Sequence, residues 1–179
     1  DPAHPFPFVA NMGVGALFNL TRLSDGSQLV EMVLIPGALP RFVRIPTEVL
    51  GDEAIYVAIE RLVCRFASLI FHGFTINGDG VFRVLRDSDM EIEDEAEDLV
   101  RLFRSAIQRR RRGQVIMLEI DDSFDPEAGE MLREKLGLSQ AFVSTTAGML
   151  GISGLAQVVG EDRPELKFVP YAPRYPERV

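Results

Sequence analysis

The spacing of apolar residues changes repeatedly along this chain, and this change is the feature that most limits its possible folds. Two apolar runs, at residues 16–20 and 29–34, flank a turn sequence at residues 24–27. An Asp-Gly pair between two such runs favours a β-hairpin. Residues 41–45 alternate polar and apolar side chains between two prolines, which is typical of a third, half-buried strand.

From Ile55 to Ile70 the apolar residues recur at three- and four-residue spacing, which is the spacing of one helical face. This pattern predicts a helix that ends at Gly73. A second hairpin is predicted next, with strands at residues 74–76 and 81–85 joined by an Asn-Gly-Asp-Gly turn.

The rest of the chain continues to alternate between the two kinds of pattern. The spacing predicts a long helix over residues 94–111, a strand over 114–120, a shorter helix from 123 to 136 and a short helix near Ser153. Because the predicted connections include two hairpins, we expect an α+β fold. Its largely antiparallel sheet would pack with two to four helices.

The length and the prolines of the chain predict one domain with an extended tail. A chain of 179 residues with 46% hydrophobic composition can bury a core of its own. Four prolines between residues 164 and 176 oppose a helix and favour an extended connector. We therefore expect a globular domain over residues 1–163 and a Pro-rich C-terminal linker over residues 164–179.

The overall charge and the single cysteine limit the function classes. A formal charge of -8 opposes a general nucleic-acid or anionic-membrane surface. Cys64 is the one cysteine and cannot form an internal disulfide. No apolar run approaches the roughly 20 residues that span a bilayer. These features predict a cytoplasmic protein without a membrane span and without a nucleic-acid partner.

Charged residues cluster at the two ends of the predicted helix over residues 94–111. An acidic run spans residues 87–98 and an arginine run spans residues 109–112. Carboxylates at a helix start and cations at its end both complement the helix dipole. The acidic run also lacks the loop glycine and the terminal glutamate of a calcium-binding loop. We therefore favour a structural role for the acidic run and predict no metal site.

The arginine run is the candidate contact site of the chain. Guanidinium groups match phosphate oxygens, so Arg109, Arg110, Arg111 and Arg112 are candidates for phosphate binding or for an interdomain contact. Consecutive helical positions point in different directions, so only part of the run could reach one anion. A solvated helix end or an interdomain contact is therefore the favoured interpretation.

No catalytic residue is predicted. His4 and His72 are the only histidines, and neither has a neighbour at the spacing of a metal site or a nucleophile pair. His72 is better explained as a cation at the end of the predicted helix. The glycine-containing segments lack the Lys-Ser/Thr and GxGxxG patterns that cradle phosphates.

Several phrases of the sequence resemble one known family. They are the opening DPAHPFPF, LPRFVRIP from Leu39, and FRVLRDSDMEIE from Phe82 with the acidic segment that follows. Shorter matches lie at residues 109–113, 118–120, 163–168 and 175–179. Together they resemble the type-one bacterial polyphosphate kinases, in the middle or "head" domain that precedes the catalytic C-terminal domains. Leu85 and His72 are local departures, at positions where that family often has Thr and Pro.

The resemblance implies a parent enzyme that reversibly transfers the ATP γ-phosphoryl group to inorganic polyphosphate with magnesium. It implies a homo-oligomeric phosphoprotein that reacts through a phosphorylated histidine in a Lys-x-His-Ala-Lys-like context. This chain contains no such motif. We therefore expect residues 1–163 to be a head domain, residues 164–179 to link it to catalytic domains outside this chain, and the isolated chain to be inactive.

A second function class remains open. The chain could be a stand-alone polyanion- or nucleotide-binding module that uses Arg109 to Arg112. Coding sequence that continues after Val179 into catalytic domains would exclude this alternative.

Overall fold

A computed structural model describes residues 6–46, 48, 54–87 and 113–174 of the chain. The strands in these residues are β1 (Val14–Arg22), β2 (Gln28–Leu34), β3 (Phe42–Arg44), β4 (Tyr56–Ala58), β5 (Phe74–Arg86), β6 (Val115–Asp121) and β7 (Val143–Thr146). The α-helices are α1 (Ile59–Arg65), α2 (Pro126–Lys135) and α3 (Ala156–Val159). Single 3₁₀ turns occupy Ala67–Leu69, Gln140–Phe142, Ile152–Leu155 and Pro164–Leu166.

A five-stranded sheet in the order β2-β1-β5-β6-β7 forms the centre of the fold. The β1–β2, β1–β5 and β5–β6 pairs are antiparallel, and only β7 runs parallel to its neighbour β6. β3 and β4 form a separate antiparallel pair. The predicted α+β class with a largely antiparallel sheet is therefore confirmed.

The first hairpin forms as predicted, between β1 and β2. Asp25 Oδ1 accepts hydrogen bonds from the Ser27 amide at 3.0 Å and from its hydroxyl at 2.7 Å. These bonds, with the nearby Arg22, lower the pKa of the Asp25 carboxyl. Gly26 takes a φ of 71°, a conformation that glycine adopts without steric cost. The turn chemistry thus sets the register that pairs Leu20 with Leu29.

The predicted second hairpin is wrong, because residues 74–86 form the single 13-residue strand β5. The Asn-Gly-Asp-Gly segment lies inside this strand, where a shift in register opposite Asn19 and Leu20 absorbs the irregularity. A Cβ at Gly80 would lie 2.4 Å from the ring of Phe124. Gly80 therefore allows close packing against β5, which the local sequence cannot distinguish from a turn.

The helix predicted from Ile55 to Gly73 is shorter than expected. Tyr56 to Ala58 form β4, in which Ala58 pairs with Phe42 of β3. The helix α1 begins only at Ile59 and ends at Arg65, before a 3₁₀ turn. The apolar spacing of the predicted helix includes its first residues, but there the backbone pairs with β3 and forms a strand. Gly73, with φ of 83°, lies in the connection to β5 and does not end a helix.

The predicted strand at 114–120 and the helix at 123–136 are confirmed as β6 and α2. Asp125 caps α2 by accepting a hydrogen bond from the Ala128 amide at 2.9 Å, and Pro126 occupies the first turn. The short helix expected near Ser153 forms as a 3₁₀ turn that leads into α3. The predicted helix over residues 94–111 falls outside the described residues.

The hydrophobic core lies on both faces of the sheet. Leu17, Phe82 and Leu118 pack with Leu132 of α2 in one buried cluster. Their β1 neighbours Ala16, Phe18 and Leu20 point to the opposite face and pack with Ala67 beyond α1. Alternation along a strand sends successive side chains to opposite faces, so β1 contributes to both clusters.

Replacing Phe82 with alanine tests this core. Phe82 is fully buried in β5 and meets Phe124 edge-on, with 6.5 Å between ring centroids. Phe82→Ala should lower the free energy of unfolding by about 3–5 kcal/mol through loss of burial and cavity formation. Phe168, which is fully exposed, provides the control. Urea melts that show equal midpoints for Phe82→Ala and Phe168→Ala would contradict the proposed core.

Candidate functional site

The residues singled out by sequence reasoning do not form a site in the described part of the chain. Arg109, Arg110, Arg111 and Arg112 lie outside the described residues, as does His4. His72 is exposed in the turn before β5, so its predicted role at a helix end is wrong. The structure therefore directs attention to a different set of side chains.

A groove of about 550 Å³ lies beside the start of β1 and is the candidate site. We call it the Glu60 groove. Most of its wall is apolar, and the polar side chains that line it include Arg41, Glu60 and Arg83. The wall also includes Phe8, Met12, Leu34, Ile35, Pro36 and Leu39. A concave, largely apolar surface with a few polar groups is the usual form of a small-molecule site.

Arg41 and Glu60 form an ion pair in the floor of the groove. Arg41 Nε and Nη2 donate to Glu60 Oε1 at 3.1 and 2.6 Å, so both bonds go to the same carboxylate oxygen. The side chain of Glu60 is only 3% exposed. Arg41 also donates to the backbone oxygens of Leu150 and Gly151. The arginine thereby joins β3, α1 and the loop after β7.

Glu60 Oε2 is buried and has no hydrogen-bond partner in the described structure. The cause is the one-sided approach of Arg41, since a two-oxygen contact would have used both carboxylate oxygens. A buried polar atom without a partner costs free energy, and such atoms are rare in folded proteins. The Glu60 carboxylate is therefore held through one oxygen, and its other oxygen is enclosed by the protein.

Arg83 of β5 is the second charged group of the groove, and its side chain is 9% exposed. Its Nη1 donates to Glu119 Oε2 at 2.7 Å, and the two residues are directly paired across β5 and β6. Its other N–H groups have no acceptor among the described residues. A Cβ at Gly151 would lie 2.8 Å from Arg83 Cδ, so the loop backbone packs directly on this side chain. Arg41 and Arg83 thus meet at the same glycine.

A further buried carboxylate, Asp121 at the end of β6, lies near the same helix. Its side chain is fully buried, and Ser123 Oγ donates to Oδ1 at 2.9 Å. Arg61 Nη1 lies 3.1 Å from Oδ2 but is not aligned for a hydrogen bond. We regard this contact as an ion pair held mainly by charge. The two atoms are close enough for a hydrogen bond, but the angle at the donor or acceptor is unsuitable for one.

Phe8 forms part of the rim of the groove. The guanidinium of Arg86 lies over its ring, 4.5 Å from the centroid. Arg86 is itself fixed by donating to the backbone oxygens of Val9 and Gly113, at 2.7 and 2.8 Å. Burial lowers the pKa of Arg86. Phe8 is therefore held from one side and remains about half exposed as a residue.

Sequence reasoning did not identify Arg41, Glu60 or Arg83 as a group. Arg83 stands between the apolar residues Phe82 and Val84 of a predicted strand, which places a charge on the opposite face of the sheet. This alternation was a usable signal. The convergence with Glu60 was not visible, because it depends on the docking of α1 and of the 148–151 loop.

Comparison with known proteins places this fold in a family. The sequence matches the family described as the polyphosphate kinase middle domain over residues 1–158. This chain belongs to that family. A polyphosphate kinase from Erythrobacter litoralis is 65% identical over 179 residues, and one from Mycolicibacterium gilvum is 33% identical over 180 residues.

The chain spans about a quarter of the relatives that it matches. All of it aligns with 24% of the Erythrobacter litoralis protein, and 98% of it with 24% of the Mycolicibacterium gilvum protein. The crystal structure of a polyphosphate kinase from Porphyromonas gingivalis has a similar fold, with a TM-score of 0.70 at 15% identity. That match covers 94% of this chain and 23% of the crystallised one.

Two negative findings hold for the described residues. None of their helices is long and apolar enough to cross a membrane. Nor do they bring together three His, Cys, Asp or Glu side chains that could hold a metal ion.

Breaking the buried ion pair tests the floor of the groove. Glu60→Gln removes the charge that compensates Arg41 and should lower the free energy of unfolding by about 3 kcal/mol. The control is Glu165→Gln, which alters the exposed pair with Arg163 and should leave the urea midpoint unchanged. A Glu60→Gln midpoint equal to that of the parent chain would show that the pair contributes nothing.

Cys64 should react slowly with thiol reagents. Burial, with a contribution from Asp79, raises the pKa of this thiol to about 12. Only the thiolate is the nucleophile, so the folded chain should react much more slowly at pH 8 than the chain in urea. Because its pKa is raised on folding, the protonated Cys64 thiol stabilises the folded chain fully at pH values below its unfolded pKa of 9.0. This stabilisation should be lost as the pH rises from 9.0 to about 12. Equal Ellman's-reagent rates for the folded and unfolded chain would contradict this assignment.

Proposed function

We propose that this chain is the head domain of an enzyme that reversibly transfers the ATP γ-phosphoryl group to inorganic polyphosphate. The observation that carries the proposal is the match to the polyphosphate kinase middle domain over residues 1–158, in relatives four times as long. Within that enzyme, this domain would support assembly, and the chemistry would belong to other domains. Residues 1–163 would form the domain and residues 164–179 the linker.

The chemistry of the histidines supports a non-catalytic role. Phosphoryl transfer through histidine needs a positioned acceptor with groups that stabilise the transferred phosphate. His72 is exposed in a turn, and the described structure shows no hydrogen bond or ion pair from its ring. Nor do the described residues provide a cluster for a magnesium ion. We assign no ATP-binding or magnesium-binding residue to this chain, and expect the isolated chain to be inactive.

The exposed apolar side chains of the tail support a role in assembly. Phe168, Val169 and Tyr171 follow the last 3₁₀ turn and are almost fully exposed. Leu166, just before them, is also largely exposed. A cluster of exposed large apolar residues commonly marks an interaction surface. The remaining domains of the polypeptide are the natural partners, since the chain represents only about a quarter of its relatives.

The arginine run enters this proposal as an interdomain contact. Arg109 to Arg112 would bind a neighbouring domain or a second subunit of a cytoplasmic homo-oligomer. This is the interpretation that the sequence favours, because consecutive positions at the end of the predicted helix could not all reach one anion. The alternative is direct binding of polyphosphate by the same residues. A stand-alone polyanion- or nucleotide-binding module remains the second function class, favoured only by this concentration of positive charge.

Substitution of two arginines in the full-length enzyme distinguishes assembly from phosphate binding. Arg110→Ala with Arg111→Ala should weaken oligomerisation, and the loss of activity should be partly restored at high protein concentration. The matched control replaces the exposed Arg65 and Lys135 with alanine, which changes the net charge equally. Sedimentation velocity and steady-state kinetics on the same preparations provide the measurements.

Intact assembly with reduced affinity for polyphosphate would contradict the assembly role. Such a result would assign the arginines to phosphate binding, since a lost substrate contact weakens affinity at every protein concentration. The control separates both outcomes from a general effect of charge, because long-range attraction of a polyanion depends on net charge.

A further inference from the structure

The strand β2 forms one edge of the five-stranded sheet, and β1 is its only neighbour there. In an antiparallel pair, every second residue bonds to the neighbouring strand, and the residues between them direct their N–H and C=O groups outward. Two bonds that flank the β1–β2 ladder show which residues are which. The Ile35 amide bonds to the Val14 oxygen, and the Arg22 amide bonds to the Ser27 oxygen.

These flanking bonds fix which backbone groups of β2 are free. Counting in steps of two from Ile35 assigns the bonds with β1 to Leu29, Glu31 and Val33. The outward groups belong to the residues between and beside them, which are Gln28, Val30, Met32 and Leu34. Within the part of the chain that the structure describes, no group bonds to this outward side.

The β2 edge lacks the features that usually protect an edge strand. It is seven residues long, contains neither proline nor lysine, and pairs with β1 without a shift in register. Natural edge strands are commonly short, or carry proline, lysine or a bulge, because free backbone groups otherwise pair with another chain. The opposite edge, β7, has only four residues, and three of them are serine or threonine. The β2 edge is therefore the one suited to further pairing.

The side chains of β2 favour an apolar neighbour on both faces of the sheet. Met32 packs in the cluster that α2 covers, and Leu29 and Val33 pack on the opposite face. Val30 shares the α2 face by alternation and remains exposed. A hollow of about 440 Å³ lies between β2 and α2 and is lined by Val30 and Met131. A strand added about 4.8 Å from β2 would place its side chains beside Val30 and this hollow.

Glu31 sets the charge of the partner strand. It is the only charged residue of β2, is exposed, and has no hydrogen-bond or ion-pair partner among the described residues. In an added ladder Glu31 would occupy a non-hydrogen-bonded pair, in which opposite side chains come closest. A second copy paired antiparallel along the whole of β2 would place two Glu31 side chains opposite each other, which is unfavourable. A strand with lysine or arginine at this position fits the edge better.

We propose that β2 takes up an extended segment from another domain of the parent polypeptide as a sixth strand of the sheet. The segment is apolar at alternate positions and carries a lysine or arginine opposite Glu31. Main-chain bonds to an exposed edge supply affinity, and the side chains supply specificity. A source in the same polypeptide is supported by its length, since this chain aligns with only 24% of the Erythrobacter litoralis relative. The inference names a partner for the assembly role proposed above and rests on it.

Hydrogen exchange tests whether the edge is covered in the full-length enzyme. The amides of Val30 and Met32 should exchange about tenfold more slowly there than in the 179-residue chain, because they gain a hydrogen-bond partner. The amides of Leu29 and Val33 bond to β1 in both proteins and should change much less. Mass spectrometry with single-residue fragmentation provides the rates. Equal rates for Val30 and Met32 in the two proteins would overturn the proposal. Protection that disappears on dilution would assign the added strand to a second copy and would overturn the stated source.

A peptide of the expected pattern tests the edge itself. The probe is acetyl-Thr-Val-Leu-Lys-Leu-Val-Thr-amide, which pairs antiparallel with residues 28–34 so that its lysine lies opposite Glu31 and its leucines lie opposite Val30 and Met32. Methyl groups on the two leucine nitrogens remove N–H groups that face β2 and should weaken binding to the 179-residue chain by about tenfold. Methyl groups on the two valine nitrogens lie on the outer side and should change the affinity by about threefold or less. Calorimetric titration compares these two isomers.

A charge exchange tests the position of Glu31. The unmodified chain should bind the lysine peptide about fivefold more tightly than the same peptide with glutamate at the central position. Glu31→Lys should reverse this preference. The control is Glu134→Lys on α2, which changes the net charge equally at an exposed position and should keep the original preference.

Three results of the peptide experiments would contradict the proposal. They are no binding of the lysine peptide at millimolar concentration, equal affinities of the two methylated isomers, and the same charge preference in the unmodified and Glu31→Lys chains. These measurements do not depend on phosphoryl transfer, which the kinetics described above measure separately. A failure of the proposed strand pairing is thereby distinguished from a failure of the proposed enzyme function.

Discussion

The double pairing of β5 is the constraint on which the rest of the structure depends. This strand pairs with β1 on one edge and with β6 on the other, and Phe82 and Arg83 are paired on both sides at once. The close approach of neighbours to this strand requires small residues, since a Cβ at Gly15 would lie 2.6 Å from the Phe82 ring. Hydrogen bonds along both edges fix which side chains point to each face.

The same alternation separates the apolar side chains that α2 covers from the charged side chain of Arg83. Phe82 and Val84 point into the cluster that α2 covers, so Arg83 between them points to the opposite face. Arg83 is retained there by its cross-strand partner Glu119 and by the Gly151 backbone. The charged floor is thus a consequence of core packing one residue away. The loop after β7 completes this floor, because Arg41 donates hydrogen bonds to two carbonyl oxygens of the loop.

The likeness to a solved polyphosphate kinase rests on this framework more than on individual residues. A TM-score of 0.70 at 15% identity shows that the fold persists while most side chains differ. Such a core is preserved when the total volume of its side chains and the pattern of apolar positions are kept. The pairs that define the Glu60 groove depend instead on particular charged residues, so fold similarity alone does not carry the groove to distant relatives.

Local sequence by itself determined the elements whose signals are short-range. The Asp-Gly turn between β1 and β2 and the Asp125 cap of α2 are made by neighbouring residues, so they formed where the pattern placed them. The quoted phrases also identified the family. Tertiary structure alone decided that Asn77 to Gly80 lie within β5, because Gly80 is needed for contact with Phe124, which is distant in sequence. It likewise brought Glu60 beside Arg41 and Arg83, since ion pairs between separate elements depend on how those elements dock and leave no periodic signal in the sequence.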